Sequence, residues 1–213
     1  MKLFLSTLAI FALVGLAPQA KATTVKTFTL DQSASSGTGP FGTITLTQAT
    51  GNTTSVTVLL TLQPGIVFAD TGAGFSLTFN IDSPVGATAV SLSGITSGFS
   101  RVNSSPITAG PGNTTWGYAV TCSSPVPCQG GNPTNSAGPL SFTVTRTSGL
   151  SVNSFTANGL GSFSSDIRNS AGATFVVWDD PSVHFNETPE PMSMSLMGLG
   201  LVGLGLMKRY KNK

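Results

Sequence analysis

His184 is the only histidine of the 213-residue chain, and eight Asp and Glu residues accompany it. A Ser-His-Asp relay needs a base, an orienting carboxylate and an exposed serine, and Asp179-Asp180 stand a few residues before His184. No G-x-S-x-G elbow presents a serine, however. His184 falls in the stretch joining the body of the chain to its C-terminal segment, so it reads as a solvated linker histidine. Two carboxylates hydrolyse a glycosidic bond when they face each other roughly 5–10 Å apart. Neighbours on a strand point to opposite faces, and in a turn before Pro181 they would cap it or stay in water. Asp166, Asp179 and Asp180 offer hard oxygens of the kind calcium takes, but no D-x-D-x-D-G loop gathers them. The sequence therefore assigns no catalytic residue, no metal ligand and no cofactor, and the chain is expected not to be an enzyme.

Cys122 and Cys128 enclose Ser-Ser-Pro-Val-Pro. This is not C-x-x-C spacing and no second histidine is at hand, which argues against zinc or redox chemistry. In an oxidising compartment a close pair forms a disulfide, here one tying a long loop. Trp116, Tyr118 and Trp178 pose the question of sugar binding, since exposed aromatic rings stack on glycans. On a strand an indole is more often core. Gly198-Leu-Gly200-Leu-Val-Gly203 spells G-x-G-x-x-G, yet it follows no strand and no acidic residue lies downstream, so it is no dinucleotide loop. The 198/203 and 200/205 glycine pairs also miss the G-x-x-x-G spacing of helix dimers.

These side chains would be positioned by a β-rich body between two terminal segments. Lys2 followed by the apolar Leu3–Leu16, a break at Pro18, and Ala20-Lys21-Ala22 make a signal peptide over residues 1–22, with Ala20 and Ala22 at the −3 and −1 positions of cleavage. The mature chain is expected to start at Thr23. At the other end, Pro189-Glu190-Pro191 is held extended by its prolines. Residues 192–207 follow without a charge; as a helix they span about 24 Å, enough for one short transmembrane helix. Lys208 and Arg209 begin a basic tail over 208–213 that marks the cytoplasmic side. A plain single-pass anchor is the simplest use of such a tail.

Pro189-Glu190-Pro191, the Gly/Leu-rich span and the Lys208-Arg209 cluster together resemble the PEP-CTERM sorting signal of Gram-negative bacteria. The resemblance implies an exosortase, a membrane-embedded transpeptidase, as processing partner, with signal peptidase acting at the other end. It further implies passage through the inner membrane, a transient anchor, and a final place at the cell surface or outside the cell, with exopolysaccharide. More loosely, Phe28–Asp31, Gly37–Thr47, Thr71–Gly74, Ser93–Gly98 and Gly159–Ile167 resemble a body type recurrent among PEP-CTERM proteins, which carries no activity to transfer.

The formal charge of +2 belongs to these terminal segments. Residues 23–191 hold four basic groups (Lys26, Arg101, Arg146, Arg168) against all eight acidic ones, a net of −4. No basic patch remains, and nucleic acid is excluded as a partner. Within the body, Val56/Val58/Leu60/Leu62, Phe75/Leu77/Phe79/Ile81 and Leu140/Phe142/Val144 alternate with polar residues in the manner of half-buried strands. Val25–Leu30, Gly42–Ala49, Ala87–Ser93, Trp116–Thr121, Leu150–Ala157 and Ala173–Trp178 are further strand candidates, separated by Gly/Pro turns. No helical period is present between leader and tail. An all-β, antiparallel, jelly-roll-like β-sandwich is expected over residues 23–183, followed by a linker over 184–191. The functions open to such a chain are a sorted matrix or surface protein, a carbohydrate-binding module using Trp116 and Tyr118, and a carboxylate-dependent hydrolase.

Overall fold

The structure, a computed structural model, describes residues 23–181 apart from 36, 38, 72–73, 83–89, 105, 124–127, 129–135 and 137. Thirteen strands make up about half of it: β1 (Thr23–Ser33), β2 (Gly42–Ala49), β3 (Ser55–Leu62), β4 (Val67–Phe68), β5 (Leu77–Phe79), β6 (Ser91–Ser93), β7 (Phe99–Arg101), β8 (Ile107–Ala109), β9 (Thr114–Trp116), β10 (Tyr118–Cys122), β11 (Leu140–Thr145), β12 (Phe163–Arg168) and β13 (Thr174–Asp179). Every pairing given by register is antiparallel.

The longest strands form where apolar residues recur at every second position. In β2, β3 and β11 one face is buried at each alternate residue. Register then aligns those residues into rows, Ile44–Leu60–Leu140 and Leu46–Val58–Phe142. All six side chains are essentially inaccessible to water, and burying each contributes about 1.5–3 kcal/mol. A slip of one residue would turn both rows to solvent, which fixes the pairing.

Eleven strands join in one sheet, in the order β6-β11-β3-β2-β1-β13-β12-β5-β10-β7 with β4 beside β12. Its two edge strands, β6 and β7, are separated in sequence only by residues 94–98. That connection pins the edges together. Thr96 is bonded to Ser141 of β11, donating its N–H to the Ser141 carbonyl at 2.9 Å and accepting the Ser141 N–H on Oγ1 at 2.8 Å. Arg101 of β7 donates from Nη1 to the carbonyl of Val90 at 2.7 Å, just before β6. The sheet thus coils into a near-barrel, and the antiparallel β fold expected from the strand pattern is the fold observed. Continuity of the sheet through the β1–β13 pairing is the feature the strand pattern did not reveal.

Phe79 of β5 sits at the centre of the interior. Its ring lies 5.4 Å from that of Tyr118, 5.7 Å from Phe142, 5.9 Å from Phe155 and 6.2 Å from Phe163. The Phe142 contact crosses the interior, since β11 and β5 are far apart in strand order. A second, smaller cluster holds the β8–β9 ribbon, with Ile107, Ala109, Trp116 and Ala119 packed with Phe75, Val102 and Leu160.

Three strand expectations change. The Phe75–Ile81 run, expected to be half-buried, is a strand only over Leu77–Phe79 and is buried on both faces. Leu150–Ala157 is not a strand: Val152–Ser154 make a turn of 3-10 helix, and only Phe155 bridges to Ile81. The cause is local, because Ser151 Oγ accepts the Asn153 N–H while Ser154 Oγ accepts the Ser151 N–H, a reciprocal cap. The Trp116–Thr121 run is cut at Gly117, whose N–H is taken by Asn80 Oδ1 at 2.7 Å. Among the described residues no helix is long and apolar enough to cross a membrane. The expected leader (1–22), the 192–207 span and the basic tail lie outside the described residues.

Candidate functional site

The two ends of the body lie on neighbouring strands. β1 begins at Thr23, the residue expected after signal cleavage, and β13 ends at Asp179, which faces Leu30. Seven residues of β1, Thr23–Thr29, therefore run on past the end of β13. Beside this overhang is a cleft of about 140 Å³ lined by Lys26, Phe28, Phe155, Ser162, Asp179 and Asp180, among others.

Its chemistry comes from one ammonium and two carboxyls. Lys26 occupies an inward step of β1 and is only 6 % exposed. Its Nζ lies 5.0 Å from the centroid of the Phe28 ring, within cation–π range. Burial lowers its pKa below the usual amine value, and the charge of Asp179 works in the opposite sense. Asp179 is 2 % exposed. It accepts the N–H of Phe163 at 2.6 Å and that of Ser162 at 3.2 Å, one on each oxygen. Burial pushes its carboxyl up to about 6 against the pull of those N–H groups, with the charge of Asp31 adding to the rise. Asp180 is half-buried. With both oxygens engaged by backbone, Asp179 clamps the start of β12 to the end of β13.

Asp166 is a second clamp of the same kind. It is 2 % exposed and takes both the N–H and the hydroxyl of Thr71 on one oxygen. Burial raises it to about 6, the Thr71 bonds oppose the rise, and the charge of Asp70 reinforces it. Asp70 in turn accepts the Thr121 hydroxyl and the Cys122 N–H. Asp166 and Asp179, two of the three carboxylates weighed as calcium ligands, thus bind different stretches of backbone. Among the described residues no three His, Cys, Asp or Glu side chains gather as a metal set would.

Cys122 and Cys128 are joined, with Cα atoms 6.0 Å apart. Both are buried, and the bridge ties the end of β10 to the loop before β11, where a loop tie was expected. The aromatic residues considered as a sugar platform are differently placed. Trp116 is fully buried, donating its indole N–H to the Ala109 carbonyl at 3.2 Å, and Tyr118 is stacked on Phe79. Neither offers a face to a glycan; Trp178 is half-buried.

An open, polar concavity of about 360 Å³ lies at the β2–β3 end, lined by Gln48, Asn52, Arg146, Ser148, Ser151 and Ser154 among others. Its floor is internally bonded: Gln48 Nε2 donates to the carbonyls of Asn52 and Leu150, and Arg146 reaches the carboxylate and carbonyl of Asp82 at 2.7 Å. No aromatic ring lines it.

The residues that carry the sequence-level reading lie elsewhere. Ala20, Ala22, His184, Pro189, Glu190, Pro191, Lys208 and Arg209 fall outside the described residues. Lys26 and Asp70 escaped the sequence reading. Lys26 had a signal, because Lys26-Thr-Phe28-Thr-Leu30 places it in step with two core residues. Asp70 had none, since its partners Thr121 and Cys122 come together only through the fold. No family model, no curated protein and no solved structure matches the chain.

Proposed function

We propose that this chain is an exported, non-catalytic surface or matrix protein, sorted by an exosortase-type transpeptidase through Pro189-Glu190-Pro191 and associated with extracellular polysaccharide. The observation that carries the reading is the pair of terminal addresses: an apolar leader ending in Ala20-Lys21-Ala22, and a Pro-Glu-Pro, apolar span and Lys208-Arg209 at the other end. Both direct the body out of the cytoplasm. The Cys122–Cys128 bridge supports it, since disulfides persist in oxidising compartments.

In its finer form the reading is a jelly-roll-like sandwich ectodomain with a cleaved leader and a short membrane helix over 192–207 that holds the chain until processing. Non-catalytic character is supported by the missing G-x-S-x-G elbow and by Asp179, whose two oxygens each accept a backbone N–H.

The test is fractionation of the full-length chain expressed in an exosortase-bearing host. A Pro189→Ala/Glu190→Ala variant should accumulate at full length in the inner membrane while the wild-type body is released from it. Equal processing and release of both would favour the plain anchor instead.

A further inference from the structure

We infer that the open polar concavity at the β2–β3 end binds an uncharged sugar residue of a polysaccharide, with Gln48 Oε1 as the acceptor on its floor. Such binding gives the polysaccharide association proposed above a place on the body, and the choice of a polymeric ligand rests on that reading.

Gln48 is the centre of the site. It stands at the inward step of β2 that follows Ile44 and Leu46, where the alternation calls for an apolar side chain, and it is only 9 % exposed. Its Nε2 donates to the carbonyls of Asn52 and Leu150, both at 2.7 Å. Two carbonyl partners demand the amide nitrogen, which fixes the sense of the side chain and turns Oε1 away from them. No described residue donates to that oxygen. Among the described residues, Arg168 Nε is the one fully enclosed side-chain nitrogen or oxygen without a partner. Gln48 Oε1 is therefore open to solvent, and Gln48 meets solvent in the concavity that it lines. A nearly buried acceptor, held rigid by its own amide and open to a cavity, is a preformed polar contact of the kind that orients a small ligand.

The rim adds donors. Asn52 Oδ1 accepts the N–H groups of Thr54 and Ser55, both at 3.0 Å, so the turn holds this side chain by its oxygen and leaves Nδ2 to donate elsewhere. Thr53 and Ser148 are exposed, and their hydroxyls make no bond to another described residue; each can donate or accept. Ser151 and Ser154 hold the far wall in place through their reciprocal cap.

Charge and shape select the ligand. Arg146 is the charged side chain among the described lining residues. Its Nη1 lies 2.7 Å from Asp82 Oδ1, and that pairing leaves little net charge to attract an ion. Without an aromatic ring in the lining, a flat heterocycle gains no stacking. What remains is a fixed set of donors and acceptors around about 360 Å³, within the ~300–1,000 Å³ of small-molecule sites. A sugar diol complements that set, one hydroxyl donating to Gln48 Oε1 and another accepting from Asn52 Nδ2. The open mouth admits a residue within a longer chain. A few net hydrogen bonds without stacking give a dissociation constant on the order of 1 mM, which repeated contacts along a polymer would strengthen.

Saturation-transfer NMR on the full-length chain, in a zwitterionic detergent free of sugar, reads binding in that range. The probes are the methyl glycosides of glucose, galactose, mannose and N-acetylglucosamine, with that of glucuronic acid as the charged control. At least one neutral glycoside should give a signal, and a stronger one than the glucuronide. Thr53→Val with Ser148→Ala removes two exposed hydroxyls and no bond between described residues, and should weaken binding on the order of 10-fold. Gln48→Met, similar in length but without the acceptor, should abolish the signal. Hydrogen exchange of β2 and β3 checks that this variant is folded; should it unfold, the Thr53/Ser148 variant decides alone. The inference is overturned by silence from every neutral glycoside, by stronger binding of the glucuronide, or by a signal that either folded variant leaves unchanged. The sorting reading fails or stands separately in the fractionation above, because Pro189→Ala/Glu190→Ala leaves every lining residue in place and should bind the glycosides as the wild type does.

Discussion

The carboxylate of Asp179, at the last position of β13, accepts the backbone N–H of Phe163, at the first position of β12, at 2.6 Å. The bond closes the end of the β12–β13 pair with a side chain where a backbone carbonyl would ordinarily serve. Ser162 N–H occupies the other oxygen at 3.2 Å. Replacing Asp179 by alanine leaves two buried N–H groups without a partner, and each such loss costs about 1–3 kcal/mol. We expect Asp179→Ala to lower the urea-unfolding free energy by about 2 kcal/mol or more.

Stability should also depend on pH in an uncommon direction. Asp166 and Asp179 are both raised from 3.8 to about 6 in the folded state. Between those values the folded chain holds more protons than the unfolded one, so the unfolding free energy falls as pH rises. Their contribution is fully present below about pH 4 and is lost by about pH 7, on the order of 3 kcal/mol for each group. Urea titrations at pH 4.5 and pH 7 should show the lower pH as the more stable, and Asp179→Ala should remove roughly half of the difference. A flat or rising profile over that interval would count against the burial of these two groups as ionisable acids. Lys26 acts elsewhere: its lowered pKa makes stability rise with pH as the unfolded amine's value of about 10.5 is approached.

The disulfide closes a short loop, so its effect should be modest. In the chain-entropy view a loop of this length gives about 2 kcal/mol. Cys122→Ser with Cys128→Ser should cost at least that, because both positions are buried and Cys122 lies against Ser76 Oγ at 3.2 Å. Thermal melts of wild type and the double variant, oxidised and reduced, give the comparison. Reductant should lower the wild-type melting point and leave the double variant where it was.

How far the fold could be read from sequence depended on whether the outer face met water. β2, β3 and β11 were legible at their ends and in their facing, because their inward Ile, Val and Leu alternate with Thr and Ser that stay accessible. β5 was not: Ser76 and Thr78 alternate with Leu77 and Phe79, yet all four are buried. Thr78 donates to Ser164 Oγ at 3.1 Å and Ser165 Oγ to the Ser76 carbonyl at 2.7 Å. A small hydroxyl whose partner lies some 90 positions away looks, in sequence, like one facing solvent. The same limit governs the site. Asp166, Asp179 and Asp180 were recognisable as candidate ligands, but the roles of Asp166 as a clamp on Thr71 and of Asp179 as a clamp on Ser162 and Phe163 required the strand order. Trp116 was legible as core by residue type, and its removal should act through stability. Trp116→Ala is expected to cost about 3–5 kcal/mol, as is Phe79→Ala at the centre of the aromatic cluster.

The turn that feeds the Asp179 clamp offers a sharper steric test. Asn158, Gly159, Leu160 and Gly161 reverse the chain into β12, with Asn158 Oδ1 accepting the N–H groups of Leu160 and Gly161. A methyl group on Gly161 would come within 2.5 Å of the Asp179 carbonyl oxygen and 2.7 Å of its carboxylate, whereas one on Gly159 would meet nothing within 4 Å. The first obstacle is backbone, held in place by β13, and cannot swing aside. Gly161→Ala must therefore push the turn away from Asp179 and stretch the bonds to Ser162 and Phe163, at about 1–3 kcal/mol for the overpacking alone. Gly159→Ala should leave the unfolding free energy within about 0.5 kcal/mol of wild type. Urea unfolding of the two variants side by side decides the point. Equal stability would mean that the turn does not pack against Asp179 and that the clamp between β12 and β13 is looser than these distances require.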